Sequence, residues 1–417
     1  MMTINSDRLW RREMEVGLIG EVEGGGVSRF AWTSTYRAAA RQLATWMENI
    51  GMRVWTDTVG NLFGRFEGSD SSLKPILVGS HLDTVPNGGC FDGVAGIMSA
   101  LESLTTMKER GEKPRRTIDL VAFINEEASQ FLGGCFGSKA MCGMIPADYP
   151  DRCTDRHTGQ TLRQAMLAYD MGLDPDNIAG SALCPEDYAA FLELHIEQGR
   201  YLLDRGLPLA AVTAIAGIKQ FYITLNGISC HAGGMAMADR HDPMAAAAAI
   251  ACEVERLALT LSPDTRGTVG YIHSEPGEQN IVASKCIVSV DYREAEDDIW
   301  RVFYEKLMEF TKKQCEKRGL TYSVEITIDT PPVHCDETLI QTIESCAQEA
   351  CIPHQRMISF PAHDAMQLGR LFPIAMIFLR SSNDGRSHCP EEFTTKEDLA
   401  AGAETLYRTL CKVAEVH

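Results

Sequence analysis

One stretch constrains the chain more than any other: residues 78–93, VGSHLDTVPNGGCFDG. The apolar run at 75–78 that leads into it has the length and composition of a short buried strand. His81 and Asp83 follow at i and i+2, a spacing that puts both side chains on one face of an extended chain. A Gly-rich turn then delivers Asp92, and a helix of small and apolar residues, 94–110, starts directly after it. Two potential ligands and a carboxylate able to orient a histidine suit a metal site, because a ligating imidazole needs an acceptor behind it to fix its tautomer. A polar strand end with a hydrogen-bonded histidine fits the same residues, so the rest of the chain decides.

Read in order, the chain alternates helices and strands. Residues 1–50 are helical in pattern, above all 35–52, which ends at Gly51. Residues 55–66 alternate and read as two strands joined at Gly60 and Asn61. The continuous apolar run 117–124 suits a buried parallel strand. Asn125, Glu126 and Glu127 close it. Successive side chains of an extended chain point oppositely, so one glutamate can face a metal while the other faces a reacting water. Residues 133–138, GGCFGS, lack the GK[ST] ending of a phosphate loop and read as close backbone packing. Residues 191–199, FLELHIEQG, are strand-like and place Glu193, His195 and Glu197 on one face. Residues 336–352 read as a helix, 374–379 as a further buried strand and 398–416 as a closing helix. Such alternation implies an α/β sheet with helices on both faces and ligands at the carboxyl ends of its strands.

From residue 209 the texture changes. A strand-like stretch (210–226), an Ala-rich helix (243–260), two strands (268–273 and 286–293), a long amphipathic helix (297–318) and a strand (321–328) follow. That order is βαββαβ, the split βαβ unit. It predicts a domain at 209–331 inserted into a larger one formed by 1–208 and 332–417, with Pro331 and Pro332 marking the return.

The formal charge of −18 argues against nucleic acid or an anionic membrane surface as partner. The start of the chain lacks a basic segment followed by an apolar one, and no run of about 20 apolar residues suggests a membrane span. The 14 cysteines show no CxxC spacing, which removes support for a zinc finger or a thioredoxin-like motif. A cytoplasmic protein with reduced thiols is the expectation.

The strand-end ligand candidates are His81, Asp92, Glu127, His195 and His388, from five separate segments. A carboxylate can bridge two metals about 3.5–4 Å apart, each completed by a histidine and one further ligand. Nitrogen and oxygen donors without thiolate suit zinc, but also manganese, cobalt or nickel. Glu126 is then placed to take a proton from an activated water.

Together GSHLDTVPNGG (79–89), NEE (125–127), ELHIEQG (193–199), residues 267–280, HDA (363–365) and SHCPEE (387–392) resemble the di-metal amidohydrolases of the hydantoinase/carbamoylase type. These include allantoate amidohydrolase, N-carbamoyl-L-amino-acid hydrolase and β-ureidopropionase, and are related to aminoacylase-like metallopeptidases. The resemblance covers nearly the whole chain in order. It implies a mixed-sheet, zinc-peptidase-like α/β catalytic domain with a small ferredoxin-like lid that also makes a homodimer. It implies two divalent ions per subunit, one on His81, Asp92 and His195, the other on Asp92, Glu127 and His388. By the same resemblance Glu126 is the general base, Asp83 the carboxylate behind His81, and Gln198 a contact to the ureido or amide end of the substrate. His231 is the lid histidine that stabilises the oxyanion, Asn280 and Arg293 hold a substrate carboxylate, and His363 with Asp364 lies near the site.

The chain departs from that pattern around the substrate. HAGGMAM (231–237), FPAHDA (360–365) and GIKQ (217–220) replace the usual elements, so that Lys219 and Gln220 stand where allantoate enzymes carry arginines. Arg380 and Arg386 add charge where relatives have smaller or neutral residues. The expected activity is hydrolysis of a linear amide or ureido C–N bond, with an N-carbamoyl-L-amino acid as first choice. Allantoate, another N-acyl or amide-conjugated amino acid, and a catalytically silent binding protein on the same scaffold are the alternatives.

Overall fold

The computed structural model describes residues 2–131 and 133–417. The chain divides into two compact units, Met1–Thr213 with His334–His417, and Ala214–Val333.

The first unit is built on a mixed sheet. Its strands are β1 (Arg53–Thr56), β2 (Leu62–Phe66), β3 (Ile76–His81), β4 (Ile118–Phe123), β5 (Ala190–Ile196) and β6 (Leu209–Ile215). The second unit carries β7 (Gly217–Asn226), β8 (Cys230–His231), β9 (Arg266–Thr268), β10 (Ile272–Glu275), β11 (Ile281–Val282), β12 (Lys285–Glu294) and β13 (Thr321–Thr330). The return to the first sheet brings β14 (Val333–His334), β15 (His354–Ser359) and β16 (Ile374–Leu379). The first sheet runs β1-β2-β4-β3-β5-β16-β6-β14, with β15 on β6. Its four central strands, β4, β3, β5 and β16, are mutually parallel, and β2 and β6 flank them antiparallel. Every residue of the four central strands is buried, which is why they read as continuous apolar runs rather than alternating ones.

Helices cover the sheet. The first two, α1 (Ser6–Gly17) and α2 (Ser34–Asn49), start at side-chain caps from Asn5 and Thr33, which satisfy backbone N–H groups that have no partner inside the helix. Helix α3 (Val94–Arg110) is buried from Val94 to Met107 and packs against β3, α1 and the C-terminal helix Lys396–Val413. It starts at Gly93, whose φ of 69° glycine alone adopts without penalty. A Cβ there would stand 2.4 Å from the His81 carbonyl oxygen. The turn from Asp92 into α3 therefore hugs the end of β3.

In the second unit the sheet order is β10-β12-β7-β13, with β9 also on β12. Helices Pro243–Leu261 and Asp297–Arg318 cover one face. Phe221, Ile223 and Leu225 point into that core and Tyr222 outward, the period of two expected of a sheet covered on one side.

Two expectations need correction. Residues 210–226, read as one strand, are two strands in different sheets, parted at Ala216. Gly217 alone stands at the change, and a single glycine inside a strand pattern does not distinguish a break from a bulge. Glu197 does not share the face of Glu193 and His195. Strand β5 ends at Ile196, and the Glu197 carboxylate accepts the N–H groups of Tyr201 and Leu202, at 2.6 and 2.9 Å, to open a short helix. Among the described residues no helix is long and apolar enough to cross a membrane, and no disulfide joins any of the 14 cysteines.

Candidate active site

The parallel register decides what meets what. His81 lies beside Phe123 at the end of β4, and His195 beside Phe378 near the end of β16. His81, the Glu126–Glu127 pair after β4, His195, and the segment after β16 therefore emerge at one edge, outside the carboxyl ends of four parallel strands. Asp92 reaches that edge through the tight turn before α3.

Asp92 stands at the centre. Its Oδ1 lies 3.1 Å from His195 Nε2 and 3.6 Å from His81 Nε2, and its Oδ2 lies 3.1 Å from His388 Nε2. Glu127 Oε1 completes the second group, 3.3 Å from His388 Nε2. The two oxygens of one carboxylate thus face two different ligand sets, His81–Asp92–His195 and Asp92–Glu127–His388.

The surroundings fit a cation at each set. His81 Nδ1 is 3.0 Å from the Asp83 carbonyl, and His195 Nδ1 is 2.9 Å from the Ile196 carbonyl. In the neutral rings each Nδ1 donates there, which leaves each Nε2 with a lone pair. The two Nε2 atoms are only 3.4 Å apart, and the buried Asp92 Oδ1 beside them has no hydrogen-bond partner. Converging lone pairs and an anionic oxygen repel unless a positive charge lies among them. Nitrogen and oxygen donors of this kind suit a divalent metal.

The electrostatics agree. Burial disfavours the charged form of His81, yet Asp92, Glu126 and Asp83 outweigh it and hold its pKa well above the usual imidazole range. His388, hydrogen-bonded to Asp92 and Glu127, is pushed up to about 11. Burial would raise Asp92, but His195, His388 and His81 hold it well below the usual carboxylate range. The site is a pocket of negative potential that attracts protons where it does not hold metal. Glu126 differs from its neighbours: burial, helped by Glu127 and Asp83, raises it to about 7. A carboxylate near neutrality is suited to exchanging protons.

Supporting contacts revise one role and add others. Asp83 does not place its carboxylate behind His81; its carbonyl does that. Its carboxylate instead accepts the backbone N–H groups of Glu126 and Glu127, each at 3.1 Å. The i, i+2 pattern correctly put Asp83 near His81 but could not say which of its oxygens faces inward. Cys135 donates its thiol to Glu126 Oε1 at 3.2 Å. Gln198 Nε2 lies 2.9 Å from Asp92 Oδ2 and 3.2 Å from His388 Nε2. Asn125, Gln198 and His388 all have positive φ, between 56° and 59°, a concentration of backbone strain typical of functional sites.

Residues 77–412 match the profile of peptidase family M20/M25/M40. The chain belongs to that family. An N-carbamoyl-L-amino acid amidohydrolase from Geobacillus stearothermophilus is 40% identical over 416 residues, 99% of each chain. An allantoate amidohydrolase from Bacillus subtilis is 33% identical over 395 residues, 95% of this chain and 94% of its own. The crystal structure of a hydantoinase/carbamoylase family amidase from Burkholderia multivorans superposes with a TM-score of 0.88 at 29% identity, over 99% of this chain and 98% of its own. The type that the motifs resemble is the type these relatives carry.

The remaining family-implied residues are placed differently. His363 is buried, edge-on to the His195 ring at 4.4 Å, with Nε2 3.0 Å from Ser359 Oγ. It packs behind a ligand candidate instead of facing a substrate. Burial, with His195 beside it, holds its pKa well below the usual range, which keeps it neutral. Arg380 grips Asp398 with two hydrogen bonds of 2.9 Å, and Arg386 pairs with Glu391 at 3.5 Å. Arg380 is thus engaged as a clamp on the C-terminal helix. In the second unit His231 pairs with Ile281 across β8 and β11, next to Asn280, whose carbonyl accepts the Ala232 N–H. Arg293 bonds Asp291 at 3.2 Å.

Two buried acids escaped sequence reading as site residues. Glu193 Oε1 accepts the Ser80 hydroxyl at 2.8 Å and its Oε2 the Ala365 N–H at 3.1 Å, tying β3, β5 and the HDA segment together beneath the histidines. Glu392 accepts the N–H groups of Phe91 and Asp92. For Glu193 the available signal was its place inside the apolar stretch 190–196; Glu392 stands among polar residues and gave none.

Proposed function

We propose that the protein is a binuclear metal-dependent amidohydrolase that converts an N-carbamoyl-L-amino acid and water into the amino acid, carbon dioxide and ammonia. The observation that carries this reading is Asp92 shared between two ligand sets, with Glu126 beside them. His81, Asp92 and His195 would hold one ion and Asp92, Glu127 and His388 the other, zinc first, with manganese, cobalt or nickel also suited to the donors. Bound there, such ions lower the pKa of a water and polarise the scissile carbonyl.

The chain's own groups do the rest. Glu126 takes the proton of the attacking water and returns it to the leaving nitrogen. Its backbone is fixed by Asp83 and its carboxylate by Cys135. His231 Nδ1 accepts the Gly233 N–H at 3.1 Å, so the neutral ring carries its proton on Nε2 and can donate it to the developing oxyanion. Donors of this kind contribute about 3–4 kcal/mol to the transition state. Gln198 contacts the ureido end. Asn280 and Arg293 receive the substrate carboxylate, for which a planar guanidinium is well matched. The second unit, Ala214–Val333, would serve as lid and dimerisation element of a cytoplasmic homodimer.

Allantoate is the second reading, favoured by the Bacillus subtilis relative. Against it, Lys219 is engaged with Asp329 at 3.2 Å and with the rings of Trp300 and Tyr304, and Gln220 with Asp291 at 2.6 Å. A panel of N-carbamoyl amino acids, allantoate and N-acyl amino acids, assayed for ammonia or amino-acid release with added zinc, manganese or cobalt, tests this. Turnover of N-carbamoyl amino acids above the others is expected. Preference for allantoate or an N-acyl compound would change the substrate assignment, and no turnover of any would leave only a silent binding protein.

A further inference from the structure

Glu392 lies four residues beyond His388 and is buried. Its Oε1 accepts the N–H groups of Phe91 at 3.1 Å and Asp92 at 3.0 Å. Its Oε2 accepts the Ser387 hydroxyl at 2.7 Å and the His388 N–H at 3.4 Å. One carboxylate thus binds the backbone of the shared ligand Asp92 on one side and that of His388 on the other. Gly89 makes room for it, since a Cβ there would stand 2.1 Å from Glu392 Oε1. An aromatic cluster reinforces the join. Trp10, Phe91 and Phe393 have ring centroids 5.7 to 6.2 Å apart, and Phe91 and Phe393 are the chain neighbours of Asp92 and Glu392.

The two ends of this join are not equally secure. Asp92 is also held by the start of α3, where Val94 N–H donates to the Asp92 carbonyl and Ala95 N–H to that of Phe91. His388 has no helix or strand to hold it. It sits at φ 58° with a side chain 48% exposed, in a turn closed by Glu392 N–H on the Cys389 carbonyl.

We propose that Glu392 is a positioning residue that couples the two metal positions by fixing the His388 turn to the backbone of Asp92. The coupling rests on the binuclear reading above. Its loss frees His388 while leaving His81, Asp92 and His195 on their sheet and helix supports. The ion on the Asp92–Glu127–His388 side then weakens and the other stays.

Titration of metal-free protein with zinc, by calorimetry and by metal analysis after desalting, tests this without an activity assay. The wild type is expected to take up two ions per chain. Glu392→Gln, nearly the same shape but with a donor where an acceptor is needed, should keep one ion at wild-type affinity and bind the second at least tenfold more weakly. Two ions at wild-type affinities, or a parallel loss of both, would overturn the proposal. If Glu392→Gln fails to fold, Ser387→Ala keeps the carboxylate and deletes one bond on the His388 side. It should weaken the second ion several-fold with the first unchanged, and unchanged affinities would again defeat the idea. A wild type that takes up fewer than two ions fails the binuclear reading itself, before any variant is compared.

Discussion

At Asp92 a single side chain serves both ligand sets, so its loss cannot be confined to one. Asp92→Ala is expected to empty both positions together, whereas His388→Ala should lower only one, and metal analysis of the two variants distinguishes them. In the proposed reaction Glu126 acts by proton transfer. Glu126→Gln should retain metal and lose at least about 100-fold in kcat; an active variant would remove the assigned role. Cys135 gives a subtler case. It occupies a left-handed backbone position at φ 56°, unfavourable for a residue with a Cβ, and its thiol meets the base. Cys135→Ala should lower kcat several-fold with KM and metal content unchanged, and Cys135→Ser, which keeps a donor, should recover most of it.

Among the elements, the β3–turn–α3 unit carries His81 and Asp92, and the C-terminal helix anchors the end of β16 through Asp398. Gly93→Ala places a methyl group against the His81 carbonyl in a backbone conformation that disfavours it. A loss of about 2 kcal/mol or more in urea unfolding is expected, with weakened metal uptake. Arg380→Ala separates the structural reading from the sequence one. If Arg380 clamps Asp398, which is nearly buried, its removal should lower stability by about 2–3 kcal/mol and leave the substrate KM unchanged. A changed substrate preference with unchanged stability would restore the recognition role. Much at this scale was legible beforehand. The strand 374–379 and the helix 297–318 were readable because apolar runs, periodicity and a closing glycine all agree there. The break inside 210–226 was not, because which sheet a strand joins depends on its neighbours.

Across the whole molecule, the charge balance of the site links metal, proton and stability. In the metal-free protein Glu126 and Glu392 are each pushed up to about 7, chiefly by burial. The folded state then binds more protons than the unfolded one between their ordinary range and neutrality, so stability falls as pH rises through that window. His388, raised to about 11, adds a contribution that is complete below its ordinary pKa and is lost as pH climbs from there toward about 11. His363, held below its usual range, works the other way, but it is one group against three, so metal-free protein should melt lower at pH 8 than at pH 6. Metal displaces these protons, so its binding tightens with pH. The rise in melting temperature on adding zinc should therefore be larger at pH 8 than at pH 6, and an equal or smaller rise would contradict this account.

The sequence by itself determined the candidate ligands and the candidate base. His81, Asp92, Glu127, His195, His388 and Glu126 stand in local patterns, strand end, tight turn and paired acids, and local patterns survive in a one-dimensional reading. Tertiary structure alone decided how they share work. The two oxygens of Asp92 face different histidines, the carbonyl rather than the carboxylate of Asp83 fixes His81, and Arg380 is spent on Asp398. Glu392, 300 residues from Asp92, meets its backbone only after the sheet has closed. These outcomes depend on directions and distances across segments remote in sequence. Residue spacing cannot encode such geometry; packing imposes it.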